Sequence, residues 1–254
     1  MLHNSLMELS DVTVSFINSK EREIHTVINH LDLKIEEGEF ICVLGPSGCG
    51  KTTLLNCIAG FQPFSGSIRM ENQWITHPGK DRGVMFQEYA LFPWFTVEQN
   101  ISFGPKINGV GKEERMELTR RFIRMVGLEG FEHHYPSRLS GGMKQRVSLA
   151  RVLANAPKFL LMDEPFAALD EQTRQSLQTE LLKIWEQHKI TCLFVTHSIQ
   201  EAVFLADRVI VLMPSPGRVA LDLPINLPRL RDRDDDRLFQ YQKKISSVLK
   251  GDVI

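Results

Sequence analysis

A chain of 254 residues is long enough to bury one sizeable core or two smaller lobes, and 43 % apolar with 24 % charged side chains is the balance of an ordinary globular protein. Thirty basic side chains against thirty-one acidic ones leave a formal charge of -1, which excludes a global attraction to nucleic acid or to an anionic lipid surface. The longest apolar runs, such as Phe40 to Leu44 and Val209 to Met213, are five residues, against the roughly 18 that a membrane-spanning helix needs.

The first ten residues, MLHNSLMELS, show neither a secretory leader nor the Met-Gly of a myristoylated protein, so a cytoplasmic location is expected. From residue 7 to about 44, the segments ELSDVTVSFI, IHTVINHLDLKI and FICVL predict a small β region, with a hairpin over INSKEREIH, feeding a buried strand. SGSIRM and DRGVMFQ add strands, after which EYALFPWFTVEQNISFG departs from strand grammar, with prolines close to a dense aromatic cluster. Residues 113 to 126 carry Met116, Phe122, Ile123 and Val126 in a helical manner, and Met143, Val147, Ala150 and Ala154 repeat at helical spacing. From 158 the chain alternates again: KFLLMD as a strand, a helix carrying Leu177, Leu181 and Trp185, TCLFVT as a strand, a short helix, then RVIVLM as a strand. A charged linker precedes a last helix with Leu238, Tyr241, Ile245 and Val248 on one face. The pattern predicts an α/β core interrupted by a helical lobe.

Cys42, Cys49, Cys57 and Cys192 form no C-x-x-C pair, so neither a zinc site nor a disulfide framework is expected. Cys49 is expected to be the reactive thiol, because the neighbouring Lys51 ammonium favours a thiolate.

The stretch GPSGCGKT supplies Gly45, Pro46, Ser47, Gly48, Cys49, Gly50, Lys51 and Thr52 between a predicted strand and a predicted helix. That is the setting in which a phosphate loop works: glycines let successive N–H groups turn toward one anion, and the helix N-terminus adds partial positive charge. Lys51 is placed to hold β- and γ-phosphates, Thr52 to offer a hydroxyl to Mg²⁺, and Thr53 to add a phosphate contact. In FLLMDE, four apolar residues followed by two acids predict a buried strand delivering Asp163 and Glu164 at its C-terminal end. Asp163 suits Mg²⁺ and Glu164 suits polarisation of an attacking water, and with the phosphate loop they indicate a nucleoside triphosphatase.

LSGGMKQR, residues 139 to 146, poses a second question, since Ser140, Gly141 and Gly142 at a helix start also present a hydroxyl and N–H groups to an anion. One triphosphate has no use for two such cradles on one side. Two copies arranged head to tail would each complete the other's site, whereas the plainer alternative is a helix cap.

GPSGCGKTT, Gln87 in VMFQE, LSGGMKQR, FLLMDEP, AALD at 167–170 and His197 in VTHS stand in the order found in ATP-binding cassette (ABC) ATPases, which this chain resembles over most of its length. The resemblance implies a P-loop NTPase (RecA-like) α/β core with an antiparallel β subdomain, about 1–87 and 158–230. It implies a helical subdomain at about 88–157, inside a cassette of 1–230 followed by a linker and helix at 231–254. It implies that Gln87 contacts Mg²⁺ and the attacking water, that His197 bonds the γ-phosphate, and that Asp170 crosses a dimer interface. Phe16, with His25 as the alternative, would stack on adenine. Met143 stands where many relatives carry glutamine, which leaves the N–H donors of that loop unchanged.

Only 95 positions separate Gly45 from Ser140, leaving no room for the coiled coil of DNA-repair relatives, and one cassette is too few for the translation factors of this type. The closest resemblance is to importers of nitrate, sulfonate and taurine, carried by RGVMFQEYALFPW, DEPFAALDEQTR, EAVFLADRVIVL and PSPGRV at 214–219. It implies a second ATPase subunit, two transmembrane permease subunits, a periplasmic or extracellular solute-binding protein, and a place at the cytoplasmic face of the membrane. A soluble ABC ATPase outside transport, a P-loop kinase and a nucleotide-gated binding module remain the alternatives.

Overall fold

A computed structural model of the chain describes residues 5–17, 24–229 and 231–251. The chain forms two compact units, Met1–Gly79 together with Ile190–Ile254, and Lys80–Lys189. The expected helical lobe at about 88–157 falls inside the second unit. The turn of the hairpin expected over INSKEREIH, residues 18–23, lies outside the described residues.

The first unit opens with β1 (Ser5–Ile17) and β2 (Ile24–Glu36), paired antiparallel from Ser5 opposite Glu36 to Ile17 opposite Ile24. Met7, Leu9, Val12 and Val14 of β1 are buried with Ile28, Leu31, Leu33 and Ile35 of β2. The step of three between Leu9 and Val12 would put one of them on the wrong face of a regular strand. A register shift takes up the extra residue, with Asp11 at φ 55 and its N–H donated to the Asp32 carboxylate at 2.8 Å. β3 (Phe40–Leu44) is wholly buried, as a five-residue apolar strand covered on both faces must be. α1 (Lys51–Ala59) follows, and β4 (Ser65–Met70) and β5 (Gln73–Trp74) complete an antiparallel sheet in the order β2-β1-β4-β5.

The second unit holds β6 (Arg82–Met85), α2 (Val97–Ile107), α3 (Lys112–Met125), α4 (Gly141–Leu153), β7 (Phe159–Asp163) and α5 (Glu171–His188). β6 runs parallel to β7, with Met85 opposite Met162. The periodicity of the sequence does not reveal α2, because aromatic residues crowd its start and Gly104 and Pro105 interrupt its end. Its start is nonetheless encoded locally: the Thr96 hydroxyl accepts the Gln99 N–H at 3.3 Å and the Gln99 side chain accepts the Thr96 N–H at 2.9 Å. The fully buried Asn100 donates to the carbonyls of Phe92, Phe95 and Thr96 and accepts the Phe92 N–H. That amide folds the preceding turn so that Phe92, Phe95 and Phe103 pack together, while Trp94 stays 66 % exposed.

Back in the first unit, the chain adds β8 (Thr191–Thr196), α6 (Ile199–Leu205), β9 (Arg208–Met213), β10 (Arg218–Pro224) and α7 (Asp236–Lys250). β3 lies between β8 and β9, parallel to both, and β10 pairs antiparallel with β9. In α7, Leu238 and Ile245 are buried as its spacing predicts, and the Tyr241 hydroxyl accepts the Asn226 N–H at 3.2 Å.

Arg231 fastens this tail. Its guanidinium, 7 % exposed, donates to the carbonyls of Val203 (2.7 Å), Phe204 (3.2 Å) and Ala206 (2.7 Å), covering the acceptors left bare at the end of α6. It also reaches Ile225 O and Leu227 O, and burial lowers its pKa to about 10. Arg231→Ala leaves several buried carbonyls without donors. It is expected to destabilise the fold by about 2–4 kcal/mol, read as a thermal midpoint roughly 5–15 °C lower.

Candidate active site

The phosphate loop joins β3 to α1 within the first unit. Gly48 (φ 78) and Gly50 (φ 98) adopt the left-handed conformation that an L side chain resists, and they turn the backbone so that α1 begins without a side-chain cap on its first N–H groups. Gly45 is demanded by proximity instead: a Cβ there would lie 2.3 Å from the Leu212 carbonyl oxygen of β9. Pro46, Ser47 and Gly48 are exposed, Thr52 is exposed and Thr53 half-buried. Lys51 is buried, and its ammonium donates to the loop carbonyls of Gly45 (2.8 Å) and Pro46 (3.2 Å). Among the described residues its charge meets these carbonyl dipoles and no carboxylate, which leaves it available to an anion seated in the loop.

Cys49 corrects the sequence-based expectation. It is 0 % exposed, and burial pushes its thiol above the ordinary range, outweighing the opposing pull of Lys51. A nearby cation favours a thiolate only where water can also reach the sulfur, and here the loop closes over it.

His197 stands directly after β8. Leu44 pairs with Thr196 in the β3–β8 ladder, so the register places His197 beside Gly45. The turn that presents it is built from residues the sequence reading passes over. The Thr196 hydroxyl donates to the buried Glu201 carboxylate and accepts the Ser198 N–H at 3.0 Å, while the Ser198 hydroxyl accepts the Glu201 N–H at 3.3 Å and caps α6. The S-x-x-E spacing of Ser198 and Glu201 is the local signal for such a cap. Phe16 and His25 are cross-strand partners on β1 and β2 and both are exposed, so Phe16 is not a core residue and the two candidates for adenine stacking adjoin.

In the second unit, the Met85–Met162 pairing brings the ends of β6 and β7 together, so Gln87 and the pair Asp163 and Glu164 emerge side by side. Gln87 is exposed and both acids are half-buried. Glu164 has φ 43, uncommon for a side chain of its kind, and its carbonyl accepts the Ala167 N–H at 3.1 Å, which turns the chain sharply off the strand.

Ser140 caps α4, its hydroxyl accepting the Met143 N–H at 3.3 Å, and it remains exposed beside the half-buried Gly141 and Gly142. Both glycines also answer to packing: a Cβ would lie 3.0 Å from the Tyr89 hydroxyl at Gly141 and 2.9 Å from Thr173 at Gly142. Asp170 caps α5 by accepting the Thr173 N–H at 2.9 Å, which holds its carboxyl below the usual range. The segment after Gln87 is tied to α4, since the Arg151 guanidinium donates to Ala90 O (2.5 Å) and Tyr89 O (3.4 Å) and lies over the Phe92 ring. Nothing in the local sequence signals that tie.

The donor set suits Mg²⁺. Among the described residues no three His, Cys, Asp or Glu side chains converge as a metal cage. In the second unit the Gln87 amide and the Asp163 carboxylate are hard oxygen donors of the kind this ion prefers, and in the first unit the Thr52 hydroxyl is another.

Comparison with known proteins adds an independent line. A family model described as ABC transporter matches residues 28–167. An uncharacterised ABC transporter ATP-binding protein of Methanocaldococcus jannaschii is 54 % identical over 228 residues, spanning 89 % of this chain and 85 % of that protein. The nitrate import ATP-binding protein of a Synechocystis strain is 44 % identical over 96 % of this chain and 95 % of its own length. The taurine import ATP-binding protein of Escherichia coli O157:H7 is 50 % identical over 80 % of each chain. Among solved structures, a dimeric ATP-binding cassette in a post-hydrolysis state with ADP and Pi superposes with a TM-score of 0.75. It is 32 % identical and covers 87 % of this chain and 100 % of that one.

Proposed function

The chain belongs to the ABC transporter ATP-binding family and is an ATP hydrolase of the cassette fold, and from that premise we propose that it powers uptake of a small anion or organic solute of the nitrate, sulfonate or taurine kind. The observation that carries the proposal is the 44 % identity to a nitrate import ATP-binding protein along 95 % of that protein's length. No helix among the described residues is long and apolar enough to cross a membrane, so the transport path would be built by other chains. Two permease subunits at the cytoplasmic face of the membrane and a solute-binding protein on the far side would complete the system. The exposed Phe86, next to Gln87, and the exposed Trp94, within the turn organised by Asn100, offer apolar side chains to a permease helix.

Hydrolysis would proceed by in-line attack of water on the γ-phosphate. Phosphate-loop N–H groups and Lys51 hold the β- and γ-phosphates and counter the charge that grows on them. Glu164 accepts a hydrogen bond from the attacking water and orients it, and His197 donates to the γ-phosphate. Thr52, Asp163 and Gln87 would hold Mg²⁺, which when bound supplies neutralisation of phosphate charge. Phe16 or His25 packs on the adenine. Ser140, Gly141 and Gly142 would close on the γ-phosphate held by a second copy, with Asp170 at the interface between copies; that a solved relative bound to ADP and Pi is dimeric supports the pairing of two copies.

Co-expression with the permease subunits tests the proposal. The chain is expected to co-purify with them in detergent, and in proteoliposomes its phosphate release is expected to rise several-fold when solute-loaded binding protein is added. Failure to co-purify, with full ATPase activity indifferent to permease and binding protein, would instead support a soluble ATPase.

A further inference from the structure

Residues 214–217 form the turn between β9 and β10, since Met213 and Arg218 are the terminal pair of that hairpin. Gly217 docks on β2: its N–H donates to Val27 O at 2.8 Å, and its carbonyl accepts the Asn29 N–H at 3.2 Å. The same glycine meets the phosphate loop. A Cβ at Gly217 would lie 2.5 Å from the Cys49 carbonyl oxygen and 2.6 Å from that of Val27. Both obstacles are backbone, so neither can swing aside, and the φ of Gly217 is outside the left-handed region, so close approach and not conformational freedom is what calls for glycine here. From the other direction, a Cβ at Gly50 would lie 3.0 Å and 3.3 Å from the Ile28 and Val27 side chains. The loop is therefore wedged between β2 and the β9–β10 turn, and that turn lies 162 or more residues further along the chain than the loop.

β2 also carries His25, opposite Phe16 on β1. We infer that the Gly217 turn is a positioning element for nucleotide binding: it sets the phosphate loop at a fixed distance from the hairpin that bears Phe16 and His25, so that the triphosphate and base of one nucleotide are gripped together. Gly217 touches no nucleotide itself. The inference rests on residues 45–52 being the triphosphate loop.

The test uses the intact chain and the affinity of trinitrophenyl-ATP followed by fluorescence. Gly217→Ala is expected to weaken binding at least tenfold. Replacing residues 214–217 by Asn-Gly, a two-residue turn that preserves the β9–β10 pairing, removes the wedge without a clash and is expected to weaken binding similarly. That second variant decides the matter if Gly217→Ala does not fold. Gly66→Ala is the control, because its Cβ would lie 2.2 Å from Asp11 O in the antiparallel sheet, a comparable backbone clash away from the loop. It is expected to lower the thermal midpoint while leaving affinity within twofold of wild type. Binding within twofold of wild type in both turn variants, or an equal loss in Gly66→Ala, overturns the inference. If the wild-type chain binds no nucleotide, or Lys51→Ala binds as tightly as wild type, the assignment of residues 45–52 is what fails, and the inference falls with it.

Discussion

Glu164→Gln is expected to bind ATP as wild type does, to persist as a dimer in saturating ATP and Mg²⁺, and to release phosphate about 10²–10³ times more slowly. Glutamine keeps the size of the side chain and one acceptor oxygen, so the turn after β7 has no reason to rearrange. What it lacks is the negative charge that draws a proton from the attacking water. Binding should survive because the groups that grip the triphosphate lie in the phosphate loop. Phosphate release measured alongside gel filtration separates the two effects. A variant that stays monomeric with ATP bound would count against a nucleotide shared between copies, and one that turns over at the wild-type rate would remove Glu164 from the chemistry.

Ser140→Asp is expected to lose ATP-dependent dimerisation and at least 10²-fold in phosphate release, while binding nucleotide normally as a monomer. The choice of aspartate matters because Ser140 has a visible second occupation as the cap of α4. Aspartate caps helices as well as serine does, so a residue that only caps would tolerate the change with an unaltered thermal midpoint. A carboxylate brought to about 4 Å from a γ-phosphate is instead repelled by about 4 kcal/mol at the dielectric of a protein surface, roughly three powers of ten in affinity or rate. Wild-type hydrolysis in this variant would favour a site completed within one chain, as in a small-molecule kinase.

The parts of the site that could be read from the sequence are those whose chemistry is local. A buried strand, three glycines and Lys51 define the phosphate loop within eight positions, and the apolar-then-acid run places Asp163 and Glu164 at a strand end. The parts that could not be read arise from approach through space. Gly217 looks like any turn glycine until β2 and Cys49 are found against it, and Arg151 looks like a solvated helix residue until the carbonyls of Tyr89 and Ala90 come to it. Cys49 misleads for a related reason: its charged neighbour is visible in sequence, whereas the burial that outweighs it is not. α2 is hidden because only its cap, and not its periodicity, marks it, and β10 because the alternation in RVALDLP is short and ends in proline.

Arg231 sits at one end of α6 and the Thr196–Ser198–Glu201 cluster at the other. Seven helical residues span only about 10 Å, so that helix behaves as a short strut anchored at both ends, with His197 carried in the turn of one anchor, between Thr196 and Ser198. Trimming the protein to a minimal cassette ending at residue 230 would release the far anchor. The histidine would then be steadied from the strand side alone, and a fragment that keeps every recognised motif would still not be equivalent to the whole.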